Sequence, residues 1–224
     1  MDIVVDHSAL ETAVIGYFRK PDPLGMVALF AAEPVTERWR AQTVLTLPVF
    51  LALVMDAQPP AAAALVDAIR GGDPVKVEMV AQALNYSHHA ERRRLMERLV
   101  GEHAAGGMDP EGAVFTDFLP THPVHVDMLW AAFFATGDAS YVTRIAGLLA
   151  GWMPEPQLQP LLAVAARDEA VAQRAMAGVL AGAAQVSLAV NARDLVEVRE
   201  ALEAFAARQD GLSSAMAARI LAGK

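Results

Sequence analysis

Histidine is the residue type in this chain best suited to chemistry, because imidazole binds metal ions and acts as a base near neutral pH. His122 and His125 stand three residues apart, and Asp127 follows two residues later. With His103, they could supply the ligands of a metal site. No His-Glu-x-x-His motif accompanies them, and histidines are common in loops. We therefore favour a loop without a metal, and expect no cofactor.

A second cluster joins His88 and His89 to Arg92, Arg93 and Arg94. The adjacent histidines point in different directions on a helix, so they cannot form the i, i+4 pair of a helical zinc site. Arg92 and Arg93 are candidates for docking a phosphate or an acidic partner through charge-assisted hydrogen bonds. A solvated helix face is the favoured interpretation, because interleaved acidic residues offer local ion pairs. These acidic residues are Glu91, Glu97 and Glu102.

Nucleophilic catalysis has little support in the sequence. A serine nucleophile needs a histidine base and an orienting acid, and none of the six serines lies in a Gly-x-Ser-x-Gly elbow. Walker and dinucleotide-binding motifs are absent, and the absence of cysteine excludes thiolate chemistry. Whether the protein is an enzyme stays open, with the balance against it. The enzyme alternative is a small-molecule or metal-dependent site near the 101–127 loop.

The composition predicts the elements that must position these residues. Hydrophobic residues make up 54% of the chain but aromatic residues only 6%. Most of the apolar residues are Ala, Leu and Val, and Ala and Leu are the strongest helix formers. The net charge of −8 leaves no basic footprint for nucleic acid or anionic lipid. We therefore expect an all-α protein that binds neither nucleic acid nor membranes.

Two apolar stretches, 45–55 and 175–190, are the candidates for membrane spans. Both fall below the roughly 20 residues that a spanning helix needs, and Pro48 or polar residues interrupt them. The first six residues lack the basic start and apolar core of a signal peptide. The expectation is a soluble cytoplasmic protein, with a signal peptide removed beforehand as the alternative.

Helix start and stop signals divide most of the chain. Ser8 with Glu11 forms a capping box, and Asp22-Pro23 and Asp73-Pro74 each end one helix and begin another. Pro48 should split or kink the segment 35–57, and helices are predicted over 74–86, 124–136 and 139–151. Ser87 is predicted to cap a helix that reaches about Val100. The region 101–123 is the long loop, and 154–160 is a second irregular link.

The last third should hold three or four helices, with Asp168, Asn191 and Asp210-Gly211 at their ends. We interpret Asn191 and Asp194 as a cap pair that opens the helix after it. The small-residue run 177–184 suits close packing in the core or self-association. The only β-structure that we expect is an isolated strand pair near Ile3–Val5.

Three of the breaks share one scheme around a capping aspartate. An apolar residue stands eight positions before each aspartate and another stands four before it, so each pair lies on one helix face. The aspartates are Asp22, Asp73 and Asp138. The residues eight positions earlier are Val14, Leu65 and Trp130, and those four positions earlier are Phe18, Ile69 and Phe134. The aspartates are 51 and 65 residues apart. This predicts an irregular, α-solenoid-like array or bundle of antiparallel helical hairpins over 1–224, with a subdivision into 1–100 and 124–224 as a variant.

The third hairpin also holds candidate binding residues. Trp130, Phe134 and Asp138 could present an aromatic face with a carboxylate beside it. The favoured interpretation is structural: a buried Trp130 and Phe134, a helix terminated at Gly137 and an N-cap at Asp138. Leu65 supports this interpretation, because it occupies the same place as Trp130 without being aromatic.

Two segments resemble a group of uncharacterised all-helical bacterial proteins. The first runs Asp-Met-Leu-Trp-Ala-Ala-Phe-Phe-Ala-Thr-Gly-Asp over 127–138, and the second Ser-Leu-Ala-Val-Asn-Ala-Arg over 187–193. The early Tyr17-Phe18 with Pro21-Asp22-Pro23 also fits the group. In that group a Trp often precedes the serine, where this chain has Val186. The resemblance implies the helical fold and no chemistry.

The function expected from the sequence is a non-enzymatic helical protein-interaction module, of the adaptor, scaffold or toxin-neutralising type. Its partner would be another protein, and a homo-oligomer is also allowed. The candidate partner-binding residues are Arg92, Arg93, Trp130, Phe134 and Asp138.

Overall fold

The computed structural model describes residues 8–115, 117–208 and 211–223 of the protein. Helix accounts for 77% of these residues and none of them forms a strand, so the all-α prediction is confirmed. The first helices are α1 Ala9–Gly16, α2 Pro23–Ala32, α3 Glu37–Thr43, α4 Leu47–Ala57, α5 Pro59–Ile69, α6 Pro74–Tyr86, α7 Arg92–Val100 and α8 Glu102–Gly106. They are followed by α9 Val124–Thr136, α10 Ala139–Gly147, α11 Glu155–Val164, α12 Glu169–Asp194, α13 Val196–Arg208 and α14 Leu212–Leu221. The strand predicted near Ile3–Val5 and the helix end at Asp210 lie outside the described residues.

Four of the predicted capping residues, Ser8, Asp22, Asp73 and Asp138, cap helices as expected. Ser8 Oγ accepts from the Glu11 amide at 3.2 Å and Glu11 accepts from the Ser8 amide at 3.3 Å, which completes the capping box. The three hairpin aspartates each accept a backbone N–H of the helix that follows. The acceptor distances are 2.9 Å for Asp22, 2.8 Å for Asp73 and 2.8 Å for Asp138. These caps satisfy amides that the first helical turn leaves without partners.

The described residues divide into two compact units. The first unit holds the residues up to Phe115 together with Ala131–Gly137, and the second unit holds the rest. The sequence suggested 1–100 and 124–224 as a subdivision, whereas here the second half of α9 returns to the first unit. Gly137 ends α9 with a φ of 72°, a conformation that glycine adopts without strain. A Cβ there would lie 3.1 Å from the Phe18 ring, so any other residue would also press against that ring.

In the first unit, α4 packs against α6, α2 against α5, and α5 against α7. Its core is made of large side chains with almost no exposure, including Phe30, Phe50, Leu51, Met55, Leu65, Met79, Leu84 and Phe133. In the second unit, α12 packs against α11, α13 and the 3₁₀ turn Leu148–Gly151, and α10 packs against α13. Its core includes Ile145, Leu149, Leu188, Val198 and Leu202. Burial of these apolar faces stabilises each set of helices.

The segment 35–57 is split just before Pro48, as predicted: α3 ends at Thr43, Pro48 lies in the first turn of α4, and the two helices meet at 62°. Three other predictions were wrong. Ser87 does not start a helix; it ends α6, and α7 begins only at Arg92. Asn191 lies inside α12, where its Nδ2 donates to the Ser187 carbonyl at 2.9 Å and therefore does not cap anything. The link at 154–160 is mostly helical, because α11 tolerates Pro160 in its interior.

Among the described residues, α12 alone is a single helix long and apolar enough to cross a membrane, and 39% of its most apolar window is buried in the protein. The bent pair α3–α4 meets the same test only if it is counted as one span. The 26 residues of α12 exceed the length expected from the sequence, because Asn191 does not interrupt it.

Candidate interaction site

An open cleft of about 540 Å³ lies in the first unit, between the start of α5 and the turn that joins α6 to α7. Its apolar lining comes from Pro59, Pro60, Ala63 and Leu95. The two prolines stand at the start of α5, where the backbone needs no N–H donor, so the chain can place apolar side chains there at no cost in hydrogen bonds. The polar rim comes from Asp56, His88, His89 and Glu91.

The rim is held by a hydrogen-bond network around Asp56. Its Oδ1 accepts from the hydroxyl of Ser87 and from the backbone N–H of His88, the latter at 2.9 Å. The Ser87 Oγ in turn accepts from the backbone N–H of His89 at 3.0 Å. Ser87 is completely buried, so its hydroxyl is shielded from water, while the Asp56–His88 bond lies at the surface. Together these bonds fix the turn after α6. These bonds therefore hold the end of α4 and the turn after α6 in a fixed position relative to each other.

This network leaves Ser87 unavailable for nucleophilic chemistry. The Ser87 hydroxyl donates to a carboxylate and has no exposed surface, so it cannot attack a substrate in the cleft. The Nδ1 atom of His89 accepts from the Glu91 amide at 3.1 Å. A neutral His89 ring therefore carries its proton on Nε2, as a hydrogen-bond donor at the rim. The cleft offers an apolar floor, one imidazole donor and two carboxylates.

The long loop is fastened to the end of α6 in the first unit. The Asp109 amide donates to Asn85 Oδ1 at 2.9 Å, and the Ala113 amide donates to the Tyr86 carbonyl at 2.9 Å. The Tyr86 and Phe115 rings meet edge to face, with centroids 5.5 Å apart. These contacts hold residues 109–115 against the end of α6, next to the turn that lines the cleft.

Arg92 belongs to this fastening. Its Nη1 donates to the Asn85 carbonyl at 3.0 Å and its Nη2 donates to the Asp109 carbonyl. Arg93 and Arg94 are exposed and pair with Glu97 and Glu91, at 3.5 Å and 3.7 Å. The local ion pairs expected for this helix face are present. The two candidate arginines thus differ: Arg92 faces inward, and Arg93 points to solvent.

The candidate residues in and after α9 contact mainly other residues of the protein. Trp130 is only 4% exposed, and Phe134 is half-buried with its ring centroid 5.7 Å from that of Phe133. Asp138 is exposed and caps α10. The structural interpretation of Trp130 and Asp138 fits this placement. Of these three residues, Phe134 and Asp138 have side chains that reach the surface, and Trp130 does not.

The histidines of the other candidate cluster lie in the second unit. His122 and His125 have ring centroids 6.2 Å apart, and the Nδ1 of His125 accepts from the Thr121 amide at 3.0 Å. Burial lowers the pKa of His125, and the neighbouring His122 lowers it further. Desolvation by surrounding atoms raises the pKa of Asp127, although its surface reaches solvent. Within the described residues no three His, Asp or Glu side chains come close enough to hold a metal ion.

One buried cation was not singled out in the sequence. Lys76 is 6% exposed, and its Nζ donates to the Ala31 carbonyl at 2.7 Å and lies 5.7 Å from the Phe30 ring centroid. Burial lowers the pKa of this ammonium, while Asp73 and Glu33 act in the opposite direction. A cation at the last carbonyls of α2 stabilises the helix end. Lys76 therefore has a structural place.

Asp56 and the Pro59-Pro60 pair are the residues of the cleft that motif analysis missed. Ser87 was noticed only as a helix cap, because its true partner lies 31 residues earlier in the chain. A local pattern cannot reveal such a pair. Comparison of the chain with protein-family models, curated proteins and solved structures found no match.

Proposed function

We propose that this protein is a non-enzymatic helical protein-interaction module, of the adaptor, scaffold or toxin-neutralising type, that binds a partner protein through the cleft of the first unit. The observation that carries the proposal is the combination of an apolar floor with a rigid polar rim. Binding sites for other molecules are typically concave, largely apolar and supplied with a few fixed polar groups.

The chemistry of the rim specifies the partner further. Asp56 and Glu91 place two carboxylates at the edge of the cleft, with Arg94 lying 3.7 Å from Glu91 on the solvent side, in a chain whose net charge is −8. Charge complementarity then favours a partner segment with basic residues beside an apolar anchor. A backbone carbonyl of that segment would accept from the Nε2 of His89. The partner is therefore a short, basic and apolar stretch of another protein.

Selection of a random 12-residue peptide library on the purified protein tests this proposal. We expect enrichment of peptides with an apolar anchor next to Lys or Arg. Ala63→Phe fills the cleft, and it should weaken peptide binding by at least about tenfold in fluorescence anisotropy. Ala104→Phe, on the exposed surface of α8, is the matched control and should leave binding unchanged.

Two results would contradict the proposal. One is a selection that enriches no peptide. The other is enriched peptides that bind the Ala63→Phe variant as tightly as the original protein. His89→Ala gives a second check, because loss of the Nε2 donor should weaken binding while leaving the apolar floor in place.

A further inference from the structure

Helix α12 has two apolar faces, of which one is buried and the other is partly exposed at Ala172, Met176, Val179 and Ala183 and exposed at Val186 and Val190. The inner face is buried and consists of Ala175, Gly178, Ala181, Ala184, Leu188 and Ala192. The opposite face carries Ala172, Met176, Val179, Ala183, Val186 and Val190, which we call the outer stripe. Val186 is 67% exposed and Val190 is 46% exposed. A Cβ added at Gly182, beside the stripe, would meet no atom within 4 Å.

The spacing of the outer stripe is that of a coiled coil. Successive members are four and three residues apart in alternation, which is the heptad pattern with a mean period of 3.5 residues. The same spacing continues to Glu169 at one end and Arg193 at the other. If only one side of a helix is buried, its other side does not require a heptad repeat.

We propose that the outer stripe is a homodimer interface, on which α12 of a second copy of this chain packs in antiparallel direction. In an antiparallel coiled coil the two heptad positions face each other across the seam. A two-fold axis near residue 181 then pairs Ala172 with Val190, Met176 with Val186, and Val179 with Ala183, every one apolar with apolar. The next pair outward is Glu169 with Arg193.

Charge selects the antiparallel direction. A parallel pair would place Glu169 against its own copy and Arg193 against its own copy, and both contacts repel. The antiparallel pair places opposite charges at both ends of the seam. Arg193 is 72% exposed and already makes a bidentate contact with Asp194, at 2.7 Å and 3.0 Å. Its guanidinium has five N–H donors, so a second carboxylate can be added.

The size of the seam predicts a weak dimer. Twenty-four residue steps of 1.5 Å give a seam of about 36 Å, and a helix about 10 Å wide then buries roughly 700 Å² over both copies. Stable specific interfaces bury at least about 1,200 Å². We therefore expect a reversible dimer that forms at protein concentrations of roughly 10 µM to 1 mM.

Sedimentation velocity over that concentration range tests the interface. The full chain should shift from monomer to dimer with increasing concentration. Val186→Glu places a charge on an exposed side chain of the stripe, so the fold should survive and the dimer should be lost. Val114→Glu is the matched control, because Val114 is 55% exposed and lies in the first unit. A chain that stays monomeric at 1 mM, or a Val186→Glu variant that dimerises normally, overturns the proposal.

Disulfide cross-linking tests the direction, and the chain has no cysteine of its own to interfere. A mixture of Met176→Cys and Val186→Cys proteins should form the mixed cross-linked dimer under mild oxidation. Neither protein should cross-link efficiently with itself, because its two copies of the cysteine lie about 15 Å apart along the seam. Predominant self-cross-linking would mean a parallel pair and would refute the proposed register. Co-flotation of the cysteine-free chain with phosphatidylcholine vesicles, without dimerisation, would show that a bilayer covers the stripe instead.

Discussion

Substitution of Arg92 tests whether this arginine stabilises the fold, in contrast to the exposed Arg93. Its guanidinium joins the end of α6 to the loop through the carbonyls of Asn85 and Asp109. A hydrogen bond to a charged group contributes about 1.5–3 kcal/mol when it is well shielded. Only the bond to Asn85 is partly buried, and water can replace the other, so we expect about 2 kcal/mol for the two together. Arg92→Ala should lower the melting temperature by roughly 4–8 °C.

Hydrogen exchange locates this effect. The peptide that spans 107–115 contains the Asp109 and Ala113 amides, which donate to Asn85 and Tyr86. These amides should exchange faster in Arg92→Ala, while those of the second unit keep their rates. Arg93→Ala is the matched control and should change stability by less than about 0.5 kcal/mol. If Arg92→Ala melted normally and lost only peptide binding, Arg92 would be a recognition residue and the structural argument would be refuted.

Three further predictions concern α9 and its surroundings. Trp130→Ala should destabilise the protein by about 3–5 kcal/mol, as measured by chemical denaturation, and an unchanged midpoint would contradict its burial. Asp138→Ala should cost about 0.5–2 kcal/mol, whereas Asp138→Asn, which can still cap α10, should cost much less; equal losses would rule out capping as the reason. The pKa of His125 is lowered by burial, so from about pH 6.5 downward the unfolded chain takes up a proton before the folded protein does. Stability should therefore fall with acidification below about pH 6.5, less steeply in His125→Asn, and identical pH profiles would contradict this.

The sequence was most informative where a structural signal is local. The caps at Asp22, Asp73 and Asp138 were predictable because an N-cap and its amide partner lie within three residues of each other. The ends of α6 and α9 followed from the same local signals.

Contacts between distant residues were not predictable. The pattern around Ser87 is that of a helix start, yet its hydroxyl satisfies Asp56 on another helix, and this contact shapes the candidate cleft. Asn191 failed for a related reason, because its side chain bonds to its own helix and lets α12 continue. The outer stripe could have been found from its heptad spacing, but only the structure shows that it lies opposite the buried face.

The path of α9 has a consequence for synthesis on the ribosome. The first unit includes Ala131–Gly137, and Phe133 is 1% exposed with its ring centroid 5.0 Å from that of Phe18. A nascent chain that ends at Phe115 therefore lacks part of its own core and leaves Phe18 uncovered. Domains usually fold as units in order of synthesis, but this one must wait until Gly137 has emerged. During that interval its exposed apolar surface is a natural target for chaperones.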